Sequence, residues 1–296
     1  MSTTPTFPLR TRGVALAALA VAVAGALTST DAAASGFQIS ENTAQALGRA
    51  YAGRDTAGND VSVVENNPAA MSDLTGNMFQ VDVTGIGVNT QFHGSGSDAF
   101  GAPLSGGDGG NGGDVTPVPA LAAMFQLNDA WRIGFAMDAP FGLKTEYDNG
   151  WVGRYQALKS KVTSLDLTGS VSWTINPQFA LGASLIAQRT KVDLSNAVDF
   201  GALIAATQLA ECGGECVPSV LPQSADGTAR VQGDDWSYGW QLGAEFKPTA
   251  QDRIGLAYHS KITHTITGSA TFQLPPIAQV AFAGTGLFTD TPASGP

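Results

Sequence analysis

The chain has two cysteines, and they are the first residues to consider for chemistry. Cys212 and Cys216 stand four positions apart in a glycine-containing stretch. Two thiolates at this spacing either close a short disulfide ring or supply half of a tetrahedral zinc site. A zinc site needs further ligands, and the three histidines of the chain lie on separate predicted strands or loop edges, at His93, His259 and His264. We therefore predict no metal site, and the two cysteines are a disulfide candidate.

Signatures of hydrolases and nucleotide-binding enzymes are also missing from the sequence. No serine stands at the centre of a G-x-S-x-G elbow. The glycine-rich stretch Gly106 to Gly113 lacks the Lys-Ser/Thr ending of a phosphate-binding loop. The sequence thus predicts neither an enzyme nor a cofactor.

Composition narrows the class of protein further. Only 14% of the 296 residues are charged, 36 are glycine, and the formal net charge is -10. Few charges and many glycines disfavour a soluble helical enzyme, and they suit twisted strands joined by long loops. A nucleic-acid partner requires clustered lysine and arginine, and the sequence of this acidic chain contains no such cluster.

The N-terminus predicts export from the cytoplasm. Arg10 and Arg12 precede an apolar run from Val14 to Leu27, and Ala32-Ala33-Ala34 offers a small-residue cleavage site. This is the pattern of a secretory signal, which we assign to residues 1–34. A retained membrane anchor is the alternative, but the apolar run is shorter than the roughly 20 residues of a spanning helix. In an exported protein, a disulfide is the default state of two neighbouring cysteines.

The elements that carry these residues follow the pattern of one long stretch, Ser164 to Ala187. From Leu165 to Ile175, apolar residues at odd positions alternate with polar ones at even positions, which is the period of a strand with two different faces. A turn at Asn176-Pro177-Gln178 interrupts the pattern, and apolar residues then resume at every second position. Strands of about ten residues cross a bilayer at a tilt, whereas soluble sheets usually have shorter strands. The stretch therefore predicts a hairpin of a membrane β-barrel.

Similar segments recur along the chain. We predict seven strands, which begin near Asn77, Thr116, Ala130, Val162, Gln178, Ala229 and Arg253. Tight connections alternate with long ones, as in barrels with short periplasmic turns and long extracellular loops. The final stretch, Thr267 to Pro296, predicts an outgoing loop with no returning strand. Because single-chain barrels have an even number of at least eight strands, we expect this sequence to be the N-terminal part of a longer protein.

The segment before the first strand differs from the rest. Residues 35–74 are polar and lack alternation, and Thr43 to Ala52 is their best helical candidate. Such a segment has too little apolar surface to fold alone. It is either a disordered periplasmic tail or a plug inside a barrel wall formed by residues 75–296. The expected fold is an all-β transmembrane antiparallel β-barrel with an N-terminal hatch in its lumen.

Four motifs occur in a specific order along the chain. They are Ser35-Gly36-Phe37-Gln38, Leu47-Gly48-Arg49-Ala50-Tyr51-Ala52-Gly53, Asn67-Pro68-Ala69 and Pro140-Phe141-Gly142-Leu143-Lys144-Thr145-Glu146-Tyr147. Together they resemble the FadL/TodX family of outer-membrane transporters, over about Ser35 to Thr267. The resemblance implies a fourteen-stranded barrel, of which about half is present here. It also implies a bacterial outer-membrane location, contact with membrane lipid, and uptake of long-chain fatty acids or other hydrophobic compounds.

The resemblance also assigns roles to individual residues. Phe37 would line a deep substrate pocket, and Asn67, Pro68 and Ala69 would be the part of the hatch near a kinked strand. The kink, a lateral opening into the membrane, would consist of Pro140, Phe141, Gly142, Leu143 and Lys144. Each role has a structural alternative: Phe37 as an anchor of the plug, the Asn67 turn as a plain turn, and Gly142 as an ordinary loop start.

Other functions fit the same pattern of strands and loops. A structural or adhesion protein of the cell surface, or a phage receptor, would bind macromolecules through its loops, and a general porin would conduct through its lumen. The loop segment Phe200 to Leu209 is either a surface that captures substrate or a short apolar helix that packs on its neighbours. The sequence leaves the oligomeric state open.

Overall fold

The computed structural model describes residues 38–39, 41–56, 60–98, 100–283, 285, 288 and 291–295. The predicted signal segment, residues 1–34, and the candidate pocket residue Phe37 lie outside the described residues. Within the described ranges, no helix is both long enough and apolar enough to cross a bilayer.

Short helical elements precede the sheet. They are α1 (Ala44–Gly48), α2 (Val63–Asn66) and a 3-10 helix (Pro68–Asp73). The hydroxyl of Thr43 caps α1 by accepting a hydrogen bond from the amide of Ala46. The predicted helical stretch Thr43 to Ala52 therefore contains a helix, although it ends already at Gly48.

The described residues form a ten-stranded sheet in which all neighbouring strands are antiparallel. The strands are β1 (Met78–Gly87), β2 (Val115–Gln126), β3 (Trp131–Asp138), β4 (Gly142–Glu146), β5 (Lys159–Asn176), β6 (Phe179–Asp199), β7 (Asp226–Phe246), β8 (Ile254–His259), β9 (Ile266–Gln273) and β10 (Thr291–Gly295). Their order is β1-β2-β3-β5-β6-β7-β9-β10, with β4 beside β5 and β8 beside β7. Two helices lie in the connections, α3 (Phe200–Glu211) after β6 and α4 (Pro276–Ala281) after β9.

Some predicted loops are strands in the structure. The sequence also predicts long loops at Gly142 to Lys161 and at Ser195 to Thr228. In the structure, β4 lies in the first of these stretches, and β6 and β7 extend into the second. The prediction that Thr267 to Pro296 contains no returning strand was wrong, because β9 pairs with β7 and β10 pairs with β9. If β3 and β4 count as one interrupted strand, and β8 and β9 as another, the described chain has eight strands instead of seven. β4, β9 and β10 are short, and pairing with a neighbouring strand satisfies their backbone groups.

Alternation along β5 separates two faces, as the sequence predicts. The even positions from Ser164 to Ser172 are polar or charged, and they are buried. The odd positions Leu167, Val171 and Trp173 are apolar, and they are exposed. A soluble sheet buries its apolar face, whereas this wall buries its polar face. That inversion is the arrangement of a barrel with lipid on its outside.

Aromatic pairs mark the end of the wall that carries the tight turns. Trp131 stacks on Trp173 with ring centroids 5.7 Å apart, and Phe179 stacks on Phe246 at 4.5 Å. Trp131, Trp173 and Phe179 are exposed on the outward face. Aromatic girdles belong at the interface between membrane and water, so this end of the wall lies at one surface of the bilayer.

The main apolar core lies between the wall and the residues that precede β1. We call those residues, 41–74, the inner segment. Val63, Val64 and Met71 are fully buried and pack with Met124 and Ala136 of the wall. Full burial of one such side chain contributes about 1.5–3 kcal/mol. The wall therefore stabilises a segment whose own composition is too polar for independent folding.

Candidate functional site

Asn67 fixes the inner segment to the wall. Its side-chain amide donates to the carbonyl oxygens of Asp55 at 2.7 Å and of Ala244 at 3.3 Å, and its Oδ1 atom accepts from the amide of Ala69 at 3.1 Å. The side chain is fully buried. One residue thus joins two turns of the inner segment to β7, and its satisfied hydrogen bonds define the position of the turn.

Two glycines of the wall make room for this turn. Gly182 on β6 and Gly243 on β7 are partners in the strand register. A Cβ atom at Gly182 would overlap the amide nitrogen of Ala69, and one at Gly243 would overlap Oδ1 of Asn67. Neither glycine carries a signal in the sequence, because each is only one small residue on the inward face of an alternating strand.

Polar side chains of the wall bind backbone carbonyls of the inner segment. The hydroxyl of Ser170 donates to the carbonyl oxygen of Val64 at 2.7 Å, and the amide of Gln241 donates to that of Asn66 at 2.6 Å. Both wall side chains are buried. Carbonyls near the end of a helix lack partners within the helix. The wall supplies these partners, which gives the polar inward positions of its strands a structural purpose.

A charged cluster holds the C-terminal end of the inner segment near the connection between β7 and β8. The carboxylate of Asp73 lies 2.5 Å from Lys247 and 2.6 Å from Arg253. Burial raises the pKa of Asp73, but the hydrogen bonds from Lys247 and Arg253 outweigh it and hold the pKa below its usual value. Beside this cluster, the hydroxyl of Ser72 donates to Glu245 at 2.7 Å. The anchor is therefore ionic and remains charged at neutral pH.

The wall is interrupted between β3 and β4. β3 ends at Asp138 and β4 begins at Gly142, and both strands pair with β5. Opposite the break, the Oγ atom of Ser164 accepts a hydrogen bond from the amide of Phe141 at 2.8 Å. A side chain thus replaces the ladder bond that the interrupted strand has lost.

Residues 38–39, which we call the N-terminal stretch, reach the same break. The amide of Ile39 donates to the carbonyl oxygen of Pro140 at 2.7 Å, and Gln38 forms an isolated antiparallel bridge with Phe141. The structure therefore brings together the residues that follow Phe37 and the predicted kink. The described contacts of Asn67 lie instead within the inner segment and on β7.

A gap in the sheet lies beside the break. β2 pairs with β3 only as far as Leu121, and its residues from Val115 to Ala120 pair with β1 alone in the described part of the chain. β4 in turn pairs with β5. The facing edges of β2 and β4 border a cavity of about 230 Å³, whose lining includes Ile39, Val118 and Leu143. The cavity is mostly apolar and lies where the wall is not closed by hydrogen bonds.

Two prolines shape the edge of β2 that faces this gap. Pro117 and Pro119 pair with Gly85 and Val83 of β1 in an unbroken register. Proline has no N–H group, and hydrogen bonds in an antiparallel strand point alternately to its two sides. An unbroken ladder to β1 therefore requires both proline nitrogens to point toward β4. The edge lacks two of the donors that closure of the gap would need.

Lys144 spans the gap. Its Nζ atom lies 3.2 Å from Asp114, which precedes β2, and 3.4 Å from Glu146 on its own strand. The contact with Asp114 links two strands that are not paired with each other. Exposed ion pairs contribute about 0–1 kcal/mol, so this link can open without unfolding the wall.

The long loops carry an apolar cluster at the other end of the wall. Phe200 of α3 is fully buried and packs with Val220 and with Phe282, which follows α4. Leu203 and Val280 of the same two helices remain exposed. The predicted loop helix therefore exists, and it both packs on its neighbours and presents apolar side chains to the outside.

A disulfide joins Cys212 and Cys216 directly after α3, with their Cα atoms 5.9 Å apart. Across the described ranges, no three histidine, cysteine or acidic side chains come together as a metal site would require. The disulfide closes a ring within one loop, so it constrains only the turn that ends α3.

Arg154 joins two of the long loops to the start of β7. Its buried guanidinium donates to Asp226 at 2.7 Å, to the hydroxyl of Tyr155 at 2.8 Å and to the hydroxyl of Ser105 at 3.3 Å. These partners belong to the loop before β2, the loop before β5 and the start of β7. One side chain therefore organises much of the loop region.

Comparison with known proteins assigns the family. A family model described as outer membrane protein transport protein (OMPP1/FadL/TodX) matches residues 25–292. The chain belongs to the OMPP1/FadL/TodX family. This family consists of outer-membrane transport proteins and not of enzymes, so the predicted family, membrane β-barrel fold and outer-membrane location are confirmed.

Curated members of the OMPP1/FadL/TodX family are similar along most of this chain. The 47 kDa outer membrane protein of Pasteurella multocida is 26% identical over 267 residues, which cover 90% of this chain and 59% of the relative. The long-chain fatty acid transport protein of Escherichia coli (strain K12) is 27% identical over 285 residues, covering 93% of this chain and 62% of the relative. The chain thus spans about three-fifths of the length of these relatives.

Solved structures of the OMPP1/FadL/TodX family share the fold. A Pseudomonas aeruginosa FadL homologue superposes with a TM-score of 0.73 at 28% identity, over 88% of this chain and 63% of that protein. The P. putida toluene transporter TodX superposes with a TM-score of 0.52 at 19% identity, over 80% of this chain and 58% of that protein. The second likeness shows the fold alone.

Proposed function

We propose that the protein takes up long-chain fatty acids or related hydrophobic compounds and releases them sideways into the outer membrane. The single observation that carries the proposal is the contact between Ile39 and Pro140 beside the gap. Movement of the N-terminal stretch would uncover an apolar passage through the wall. The fatty-acid class is supported by the similarity to the long-chain fatty acid transport protein of Escherichia coli.

Residues 35–74 serve as a hatch in this proposal, residues 75–296 serve as the wall, and residues 1–34 direct export. The hatch has a firmly held part and a weakly held part. Asn67 and Asp73 bind to the wall through buried or ionic contacts, whereas Gln38 and Ile39 meet the break through backbone contacts with Phe141 and Pro140. The N-terminal stretch therefore moves first, and the Asn67 turn stays in place as its support.

Apolar surfaces account for both ends of the route. Leu203 and Val280 on the loop helices offer a capture surface, and the gap cavity is lined mainly by apolar side chains. Burial of each methylene contributes about 0.8 kcal/mol, so an acyl chain binds through contact alone. Release into lipid keeps the chain out of water, and the missing donors of Pro117 and Pro119 leave the exit unpaired.

A disulfide that locks the N-terminal stretch to the break tests the proposal. Gln38 and Phe141 are bridge partners, and residues paired in this way lie at a distance that a disulfide can span. We expect the double variant Gln38→Cys/Phe141→Cys to lose uptake of labelled oleate when oxidised and to regain it after reduction. The single variants and the unmodified protein, treated with the same reductant, control for reduction of the native disulfide.

The same variant separates this function from the alternatives. Unchanged oleate uptake in the fully cross-linked protein would overturn the proposal. Conductance of small ions measured in parallel reports on a general porin, for which the lock would alter conductance without any specific effect on oleate.

A further inference from the structure

The outward face of the wall changes from apolar to charged at one level near the long loops. Leu165, Arg189 and Trp236 face one another in register on β5, β6 and β7. Toward the tight turns, the outward positions are predominantly apolar, as at Leu167 and Leu185. Toward the long loops, the same three strands carry lysine, arginine and aspartate on this face.

The height of the apolar part matches a bilayer. The outward positions from Leu165 to Ile175 span ten residues, or about 33 Å along the strand at 3.3 Å per residue. At a strand tilt near 40° this gives about 25 Å across the membrane, the usual height of the lipid-facing band. The charged residues beyond Leu165 therefore lie at the level of lipid headgroups. Because they adjoin the long loops, the headgroups belong to the outer leaflet.

Six cations collect on this outward face, and we call them the charged belt. They are Lys144, Lys159, Lys161, Arg189, Lys191 and Arg230. The carboxylates that contact them are Asp114, Glu146, Asp193 and Asp234. In a chain with a net charge of -10, an excess of positive charge at this one level stands out and favours an anionic neighbour.

Arginine side chains form ion pairs with two carboxylates of the charged belt. Arg230 donates two hydrogen bonds to Asp193, at 2.8 and 2.9 Å, and Arg189 donates two to Asp234, at 2.9 and 2.7 Å. Lys159 adds a third contact to Asp193 at 3.1 Å. Arg230 uses both oxygens of Asp193, and the two bonds from Arg189 converge on one oxygen of Asp234. The planar guanidinium offers two such donors in fixed positions, which a lysine cannot match. These aspartates are therefore already neutralised.

Two lysines of the belt remain without an ion pair among the described residues, Lys161 and Lys191. They are diagonal neighbours on β5 and β6, since Lys191 pairs with Thr163. Lys161 also lies directly opposite Lys144 of β4, and like charges in opposite positions destabilise a sheet. An anion bound to Lys161 would weaken this repulsion.

A cleft of about 450 Å³ lies between the two lysines. It is lined by Lys161, Thr163, Lys191, Gln232 and Thr267, together with the arginine-bound aspartates. In the strand register Lys161 lies opposite Asp193 and Lys191 lies opposite Asp234, but both aspartates are bound by arginine. The threonine and glutamine side chains add hydrogen-bond donors around the two ammonium groups. The cleft borders the level of Trp236, whose ring lies 5.9 Å from the guanidinium of Arg189. It is thus polar on one side and adjoins the lipid-facing band on the other.

We propose that Lys161 and Lys191 bind the phosphate of a phosphorylated glycolipid of the outer leaflet, with lipid A as the probe. The ammonium groups and the donors of Thr163 and Gln232 contact the phosphate, and the acyl chains lie along the apolar band below. The site lies outside the barrel, so it is separate from the passage proposed for hydrophobic substrates.

Binding of lipid A to the detergent-purified protein, measured by native mass spectrometry, tests the assignment. We expect the unmodified protein to prefer phosphorylated lipid A over its dephosphorylated form. Near an anionic lipid surface each lysine is worth about fivefold in affinity, so Lys161→Gln/Lys191→Gln should weaken binding by about 30-fold. The variant Lys161→Arg/Lys191→Arg keeps both charges and should retain binding, and Lys261→Gln removes an exposed lysine that does not line the cleft.

Three outcomes would overturn the site. The first is equal affinity for phosphorylated and dephosphorylated lipid A. The second is an equal loss of binding in the Lys261→Gln protein. The third is competition by inorganic phosphate at concentrations similar to those of lipid A, which would assign the cleft to a free anion instead of a lipid. None of these results depends on oleate uptake, so failure here leaves the transport proposal intact.

Discussion

The amide of Ile39 donates a hydrogen bond to the carbonyl oxygen of Pro140 at 2.7 Å, and this bond joins the N-terminal stretch to the break in the wall. Ile39 also lines the gap cavity. A single backbone hydrogen bond contributes about 0.5–1.5 kcal/mol, which is small enough for frequent opening. This backbone contact between the residues that follow Phe37 and the wall therefore lies directly at the proposed exit.

Removal of this donor should loosen the N-terminal stretch. Ile39→Pro deletes the N–H group, so we expect cleavage by an added protease near residue 39 to become about fivefold faster, in line with the loss of about 1 kcal/mol. The control Ile39→Ala keeps the donor and should be cleaved at the rate of the unmodified protein. Equal acceleration in both variants would show that the side chain, and not the hydrogen bond, holds the stretch.

Gly243 should be required for the inner segment to pack against β7. Gly243→Ala places a methyl group against Oδ1 of Asn67, and overpacking of this kind costs about 1–3 kcal/mol. We expect a lower unfolding temperature in heat-dependent gel mobility and faster proteolysis of the inner segment. Gly169→Ala is the matched control, because a Cβ atom there meets no neighbour within 4 Å.

The ionic anchor at Asp73 predicts a defined dependence on pH. Its pKa is held below the usual value of 3.8 by Lys247 and Arg253, so its contribution is complete above that value and is lost as the pH falls through the lowered pKa. We expect Asp73→Asn to lower the free energy of unfolding by about 1–3 kcal/mol at pH 7. The difference between variant and parent should persist to pH 5 and disappear under strongly acidic conditions.

Comparison of the two proteins at each pH cancels the contribution of groups that do not contact Asp73. A difference that already disappears between pH 7 and pH 5 would contradict the assigned direction of the pKa shift. A difference that never appears would show that Lys247 and Arg253 do not stabilise the anchor.

Arg154 should keep the long loops conformationally ordered. Arg154→Met keeps much of the side-chain volume but leaves Asp226 and the Ser105 loop without their donor, at a cost of about 1–3 kcal/mol. We expect faster proteolysis of the loop before β2, while the mobility of the folded barrel in unheated gels stays unchanged. Arg154→Lys preserves the charge without the guanidinium fork and should give an intermediate rate.

Local sequence patterns predicted the long strands of the wall correctly. They did not predict the short strands, which depend on pairing with a neighbouring strand. The alternation from Leu165 to Ile175 was correct because side-chain direction in a strand depends only on a period of two. β4, β9 and β10 were missed or placed in loops, because pairing with β5, β7 and β9 stabilises them. The glycines at 182 and 243 were also missed, since the atom that each must avoid belongs to a distant part of the chain.

The sequence by itself determined the family, the membrane-facing strands and the presence of a polar segment before them, because these depend on local periodicity and short motifs. Only the tertiary structure decided which distant groups meet. It placed Ile39 on Pro140, seated Asn67 against β7 across 177 positions, and gathered scattered lysines into one belt. Strand register sets those encounters, and register depends on the pairing of whole strands, which no single stretch of residues encodes.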